Sequence, residues 1–337
     1  VQMAELRIRR VSPSAYWTGS VFDGAAPVET WVLALPNPTT SDWRYSGIAW
    51  TDNNYELNVR AKDRAGNLQT PYSSFSFTVD ATLPVSAATT PANGSIIGTI
   101  PVIYGNASDP TPGTVADVRL KIRRNTDNNY WTGIAWGAAV STQTAAATVS
   151  WSYSGLAAGS LATGTSYTVM PWARDAAGNE EVVGTSTTFT VDFASPTSLV
   201  QQPPVGGGFF KAMLTLTGTA ADSVSGVNRV EVSITSGPGF STWYNGTDFL
   251  SASPIYLGAA GGTSWTFNSS TVPWVSGRAY VVRSRGVDAV GNTEAVVSSG
   301  TFTLDTSSPS STVTNPANGS FKNAAGIATV NVPHGLS

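Results

Sequence analysis

The sequence contains no cysteine. That excludes a disulfide framework, a thiolate nucleophile and a thiolate metal centre. Histidine is nearly as scarce, with His334 the single one. No Ser-His-Asp or Cys-His arrangement can be assembled from it, and a histidine-based zinc site is ruled out. Charge is also low: 12% of residues are charged and the net charge is −3. Nothing more basic than Arg7 to Arg10 or Lys121 to Arg124 appears, which argues against a partner held by phosphate neutralisation. No apolar run approaches the roughly 20 residues of a membrane-spanning helix. The 21 acids mostly fall at turns and recur copy after copy, unlike the two carboxylates that flank a glycoside-hydrolase cleft. An enzyme is therefore not expected.

What is abundant is turn chemistry and aromatic mass. There are 33 Gly and 20 Pro, together with 11 Trp, 11 Tyr and 12 Phe, and 41% of the chain is hydrophobic. That is too apolar for a disordered segment and suits short strands joined by tight turns. The strongest signal is repetition. "KDRAGN", "RDAAGN" and "VDAVGN" place Asp63, Asp175 and Asp288 at intervals of 112 and 113 residues. Asp80, Asp192 and Asp305, closing "FTVD", "FTVD" and "FTLD", keep the same intervals, as do Pro91, Pro203 and Pro316. Such a period is the size of a domain, not of a solenoid repeat.

Within each copy the pattern alternates with period two, as half-buried strands do. Val118, Leu120 and Ile122 face one way, repeated by Val230, Val232 and Ile234 and by Ala4, Leu6 and Ile8. Later strands carry Trp43 and Tyr45, Trp151 and Tyr153, and Trp265 and Phe267. Others start at Tyr55, Tyr167 and Tyr280, and the last hold Phe77, Phe189 and Phe302. No stretch has a helical period. About seven antiparallel strands in roughly 110 residues describe a β-sandwich, so the expected class is all-β, tandem Ig-like antiparallel sandwiches in a rod.

The string "GNASD…VRLKIRR…SWSY…GTSYTVMPWARDAAGNEE…FTVD" resembles the bacterial immunoglobulin-like, or fibronectin-III-like, repeats of large surface and secreted proteins, over essentially the whole chain. Tyr55, Tyr167 and Tyr280 look like the tyrosine corner of such sandwiches, with Gly164 and Gly277 three residues earlier and Asp52 in that place in the first copy. The resemblance implies a spacer, an adhesin stalk, a carbohydrate-recognition module or a filament subunit.

The repeat sets the expected boundaries. Residues 81–192 and 193–305 are complete modules, 1–80 is a module lacking its strands A and B, and 306–337 is a linker plus strands A and B of a further module. Apolar Ile327, Val330 and Val332 of that last piece call for cover. Two explanations stand at this point: the chain is an excerpt from a longer array, or the A and B strands of one molecule complete the first module of the next, head to tail.

The Asp-x-x-Gly-Asn motif reads as a hairpin turn in which Asp and Asn bond nearby backbone and Gly takes a positive φ. Its residues are Asp63, Gly66 and Asn67, then Gly178 and Asn179, then Gly291 and Asn292. A second reading assigns calcium. In an Ig-type sandwich the B–C and F–G loops share the pole that receives the preceding module. That draws Asp80, Asp109 and Asp175 towards one junction and Asp192, Asp222 and Asp288 towards the next, where an oxygen-liganded Ca²⁺ would relieve their repulsion. The third cluster is aromatic. Trp17, Trp131 and Tyr244 are followed five residues later by Phe22, Trp136 and Phe249, and the odd spacing would place the members of each pair on opposite faces of a strand. They either pack over the sandwich edge, contact a neighbouring subunit or stack on sugar rings.

The expectation overall is a structural extracellular or cell-surface protein, the repeat shaft of a filament, sheath or adhesin stalk. Its expected partners are copies of itself, head to tail or laterally, and a surface receptor or glycan; nucleic acid and membrane insertion are not expected. An adhesive glycan-binding module using the aromatic loops is the alternative. No cofactor other than calcium is implied.

Overall fold

The computed structural model describes residues 3–24, 28–36, 42–236, 238–312 and 317–323. Apolar Ile327, Val330 and Val332, the sole histidine His334 and the linker residue Pro316 lie outside them. Backbone contacts divide the chain into two compact units, Val1–Asp192 and Phe193–Ser337.

The first unit contains two sheet systems. The earlier one is a single sheet of β1 (Met3–Arg10), β2 (Ala15–Trp17), β3 (Phe22–Asp23), β4 (Val32–Pro36), β5 (Trp43–Arg44), β6 (Asn53–Lys62) and β7 (Ser73–Val79). Its backbone runs β3-β2-β1-β4-β5, with β6 joining β1 to β7. A long antiparallel ladder holds β1 to β6, from Met3 opposite Lys62 to Arg10 opposite Tyr55. Ile8, Trp17 and Tyr55 form the only fully buried cluster of this sheet among the described residues, and Leu57, Val79 and Phe22 pack on it half-covered.

The later system is a two-layered sandwich. One layer is β8 (Val85–Thr90), β10 (Ile103–Ser108) and β15 (Ser150–Tyr153), in the order β15-β10-β8. The facing layer contains β9 (Ser95–Ile97), β11 (Val115–Arg124), β12 (Tyr130–Trp131), β13 (Trp136–Gly137), β14 (Gln143–Thr144), β16 (Ser166–Asp175) and β17 (Thr187–Val191). The alternating residues do what their spacing dictates: Val118, Leu120 and Ile122 are each 0% exposed, while Arg119, Lys121 and Arg123 on the other face are not buried. Trp151 lies so close to Gly105, its partner on the neighbouring strand of the same layer, that any side chain there would collide with the indole ring.

The second unit repeats the sandwich. Its layers are β18 (Thr197–Gln202), β20 (Thr215–Ala221), β24 (Ala260–Gly261) and β25 (Ser264–Asn268) against β19 (Phe209–Phe210), β21 (Val227–Ser236), β22 (Thr242–Trp243), β23 (Leu257–Gly258), β26 (Ala279–Asp288) and β27 (Ser298–Leu304). Trp265 again covers a glycine, Gly218. A short 3-10 turn at Pro238–Phe240 is the one helical element among the described residues, and no described helix is long and apolar enough to cross a membrane.

The tyrosine corner is present in each copy with a local variation. The hydroxyls of Tyr167 and Tyr280 accept from the backbone N–H of Ala162 and Val275, at 2.9 and 2.7 Å. Tyr55 instead closes on Thr51, accepting from its N–H at 3.2 Å and donating to its carbonyl at 2.9 Å. This tighter loop accompanies the change at Asp52, where the later copies have Gly164 and Gly277 at φ +74° and +78°.

Candidate metal centre

The three Asp-x-x-Gly-Asn segments fold into one turn. Asp175 N–H donates to Asn179 O at 3.1 Å, and Asn179 returns its backbone N–H to Asp175 Oδ1 at 2.8 Å and its side-chain amide to Oδ2 at 2.7 Å. Asp63 with Asn67 and Asp288 with Asn292 make the same three bonds. Gly66, Gly178 and Gly291 take φ between +93° and +97°, a backbone state that a Cβ would strain. Here an aspartate is already committed to its own loop before any ion is considered.

In the first unit this turn has a second task. The Asn179 amide also donates to the carbonyls of Asp80 and Thr82, at 3.1 and 3.4 Å, so the second module grips the linker that leaves β7. From the other side, Asp52 Oδ1 accepts from Ala81 N–H at 2.8 Å, and Asp52 Oδ2 takes the Thr82 hydroxyl. These bonds hold the Asp52 carboxyl below its ordinary value, with the Thr82 hydroxyl the largest cause. The linker is therefore fixed from both modules by side chains aimed at its backbone.

Beside it, Asp80, Asp109 and Asp175 converge. Asp80 follows β7, Asp109 follows β10 and Asp175 ends β16, and one oxygen from each lies within 4.8 Å of the others. Asp175 is 1% exposed. Asp109 is the telling member: both its carboxylate oxygens are shut off from solvent and neither has a hydrogen-bond partner. No described lysine or arginine pairs with any of the three, Lys62 and Arg174 included. Burial pushes the Asp109 carboxyl above its ordinary range, and the charges of Asp80, Asp175 and Asp52 push it further. Asp80 is raised by burial first and by Asp175 and Asp52 after it, against one bond from Thr82 N–H. Like charges gathered out of water, with oxygens to spare, suit a hard divalent cation, which takes oxygen ligands at about 2.3–2.6 Å.

Gly113 leaves the space in which those oxygens meet. A methyl group there would collide with Asp109 Oδ2 and Asp80 Oδ2. An adjoining cavity of about 210 Å³ is lined by Thr78, Asp80, Pro112, Gly113, Thr114, Ala176 and Ala177. The residues present thus fit a calcium ion: three carboxylates, a buried pair of unsatisfied acceptors and a glycine-lined approach.

The second sequence-predicted trio is divided between the units. Asp192 closes the first, with its N–H on Ile97 O at 2.9 Å. Asp222 and Asp288 belong to the second, where Asp222 Oδ1 accepts the backbone N–H groups of Val224, Ser225 and Gly226 at 2.8–3.1 Å. That oxygen is satisfied within its own loop, unlike its counterpart on Asp109.

The aromatic candidates are core residues, which corrects the reading of them as interface or ligand groups. Trp17, Trp131 and Tyr244 are 4%, 1% and 3% exposed. Phe22, Trp136 and Phe249 pack against the same clusters. The opposite-face expectation fails because the chain turns back between the two rings. Trp17 pairs with Phe22, and Trp131 with Trp136, across tight hairpins, so each pair shares a face. Ring centroids are 5.1, 5.5 and 5.4 Å apart in the three copies. Indole N–H groups are satisfied internally, Trp131 on Tyr153 Oη at 3.0 Å and Trp136 on Ser160 O at 2.6 Å.

Sequence reading missed Asp52 and Gly113. The first was signalled by its departure from the glycine of the later copies; the second, inside "DPTPGT", carried no signal beyond ordinary turn composition.

No protein-family model matches the sequence, and no curated protein matches it. Solved structures with a similar fold include the fibronectin(III)-like modules of Clostridium thermocellum CbhA, at 15% identity and TM-score 0.32, covering 66% of this chain and 94% of that one. A 1.5-MDa bacterial ice-binding adhesin aligns at 14% identity and TM-score 0.34, covering 90% and 87%. A Ca²⁺-stabilized adhesin of an Antarctic bacterium aligns at 18% and 0.33, covering 93% and 68%. The sandwich architecture is carried by the facing sheets of the chain itself.

Proposed function

We propose that this chain is a structural repeat shaft of an extracellular, adhesin-like protein, and that Asp80, Asp109 and Asp175 bind a calcium ion that stiffens the joint between its first and second modules. The observation that carries this reading is Asp109, whose two oxygens are buried without a partner beside two further carboxylates. An uncompensated carboxylate of this kind destabilises a fold unless a cation meets it. Its position, next to a linker already fastened by Asp52 and Asn179, makes joint rigidity the property the cation would supply. A shaft that transmits tension needs stiff joints and needs no catalytic group. Head-to-tail self-association belongs to the same proposal.

The test is a pair of measurements on the chain with and without millimolar calcium. Thermal unfolding should shift upward with calcium and not with magnesium at equal concentration, because magnesium demands a tighter octahedral shell and keeps its water. Small-angle scattering should register a greater maximum intramolecular distance in calcium. An unchanged melting temperature at millimolar calcium would end the metal assignment, and a collapsed scattering profile would end the shaft.

A further inference from the structure

The sheet built on β11 and β16 carries a different outer face from its counterparts in the other two copies. The corner tyrosines align the three, since Arg10, Arg124 and Ser236 stand opposite Tyr55, Tyr167 and Tyr280. Just before these positions, the outer face of the strand carries Glu5, Arg7 and Arg9 in the first copy, Arg119, Lys121 and Arg123 in the second, and Glu231, Ser233 and Thr235 in the third. The first row is neutralised: Glu5 pairs with Arg60, Arg7 with Glu29 and Arg9 with Glu56, at 2.5–3.2 Å. The third row contains no cation. In the second all three are cations, and across the ladder they face Trp172, Met170 and Thr168, none of them acidic. Arg119 pairs with Asp117 at 3.0 Å, and Arg123 Nε donates to Asn125 Oδ1 at 3.3 Å. Among the described residues neither Lys121 nor Arg123 meets a carboxylate.

Beside this row is a cavity of about 460 Å³, larger than the one next to the aspartates. Its size falls within the range of about 300–1,000 Å³ usual for small-ligand sites. The lining includes Lys121, Met170, Trp172, Glu180, Val182 and Val183. Lys121 Nζ lies 4.8 Å from the centre of the Trp172 ring, so ammonium and indole border the space as one unit. Val182 and Val183 are 89% and 72% exposed, two adjacent apolar side chains in water. Glu181 also lines the cavity, but its carboxylate is committed elsewhere. Its Oε1 accepts Ser86 N–H at 2.9 Å, and its Oε2 accepts the Ser86 hydroxyl at 2.6 Å and Ala173 N–H at 3.0 Å. Glu180 is exposed and has no ion pair among the described residues. The cavity thus offers apolar surface, one ammonium without a counter-charge and one carboxylate.

We propose that this face binds an acidic saccharide, a uronate unit of a polysaccharide. Its carboxylate meets Lys121, the C–H surface of its ring meets Met170, Val182 and Val183 beside the indole, and a ring hydroxyl donates to Glu180. Arg123 stands two residues along β11, about 7 Å from Lys121 at a rise of about 3.4 Å per residue, in place for the carboxylate of an adjoining unit. The composition of the cavity selects against other anions. A peptide rich in Asp or Glu would match the cations but would meet Glu180 with like charge and bring it no hydroxyl. A phosphate backbone is held by many neutralising cations along its length, and this row has three. The inference goes beyond the shaft reading and does not rest on it.

The test is calorimetric titration of the whole chain with trigalacturonate, in EDTA and at about 0.15 M salt, where exposed charges are screened beyond about 8 Å. EDTA keeps calcium from bridging the ligand to the Asp80 cluster. Two control ligands separate the contributions: maltotriose has rings without charge, and end-capped triglutamate has three carboxylates without rings. Trigalacturonate should bind saturably and maltotriose should give no measurable heat. Triglutamate should bind about tenfold more weakly or less, since it lacks the ring contacts. Lys121→Gln should weaken trigalacturonate binding about tenfold, the loss of one charge-assisted hydrogen bond. Lys211→Gln makes the same change of charge at an exposed site in the other unit and should leave binding unaltered. Val182→Asp, at a side chain already in water, should also weaken binding while the melting temperature stays as it was. No binding at millimolar trigalacturonate, equal binding of either control ligand, or equal effects from the two lysine variants overturns the assignment.

Discussion

Replacing Asp109 by Asn should stabilise the protein without calcium and abolish its response to calcium. In the wild type both Asp109 oxygens are buried and unbonded next to Asp80 and Asp175. Leaving a buried polar group unsatisfied costs about 1–3 kcal/mol. An asparagine removes the charge and brings an N–H₂ that can donate to either neighbouring carboxylate. A gain of about 1–2 kcal/mol is expected in EDTA, which for a unit of this size raises the melting temperature by about 2–8 °C. Calcium at a hundred times its dissociation constant should stabilise the wild type by about 2.7 kcal/mol, and the variant by nothing measurable. The two melting curves should therefore cross when calcium is added. The pH dependence carries the same sign. Asp109 and Asp80 titrate higher in the folded protein than an ordinary carboxyl, so the folded state holds more protons just above about pH 3.9, the unfolded Asp value. Their contribution to stability is then present at low pH and lost as the pH climbs through the folded values. Calcium, or the Asn substitution, should flatten that decline. Calorimetry in EDTA and in calcium at several pH values reads all of this. A variant less stable in EDTA, or one with a full wild-type calcium shift, refutes the reasoning.

Further outcomes follow from the same geometry. Gly113→Ala puts a methyl group against Asp109 Oδ2 and Asp80 Oδ2, and should remove the calcium shift at a cost of about 1–3 kcal/mol by overpacking, read from melts with and without the ion. Asn179→Ala breaks bonds to the linker carbonyls as well as to its own turn, whereas Asn67→Ala loses only turn bonds at a solvent-exposed site. Denaturant titration should find the first the more costly by about 1–2 kcal/mol. Phe75→Ser should change stability by less than about 0.5 kcal/mol, because that ring is mostly in water. Phe189→Ala, in a closed core, should cost about 3–5 kcal/mol in the same assay.

Much of the architecture was legible from periodicity alone. The inward set of Val118, Leu120 and Ile122, the buried Trp151 and Trp265, and the corner tyrosines Tyr167 and Tyr280 all lie where an alternating strand has to put them. The Leu6 and Leu57 positions depart from this, because the first sheet has no described layer opposite and they remain half-covered. What sequence spacing could not give is the path of the chain between strands. Counting along an extended segment puts Trp131 and Trp136 on two faces, yet a hairpin brings them ring to ring. The acidic trio follows from the shared pole of the B–C and F–G loops, a rule of topology that survives low sequence similarity. That Asp109 has no partner, and that Gly113 leaves it room, depends on side-chain placement at the scale of one atom. No repeat period encodes that.

The turn around Asn179 has a consequence for how such chains grow. In the first sheet the equivalent turn, Asp63 to Asn67, bonds only to itself at an exposed site, but in the second the corresponding turn also reaches back to the linker that follows its predecessor. The second copy thus carries its own socket for the linker that precedes it. A gene duplication inserting one more period would extend such a chain with that joint ready-made, so length could be selected independently of any other property.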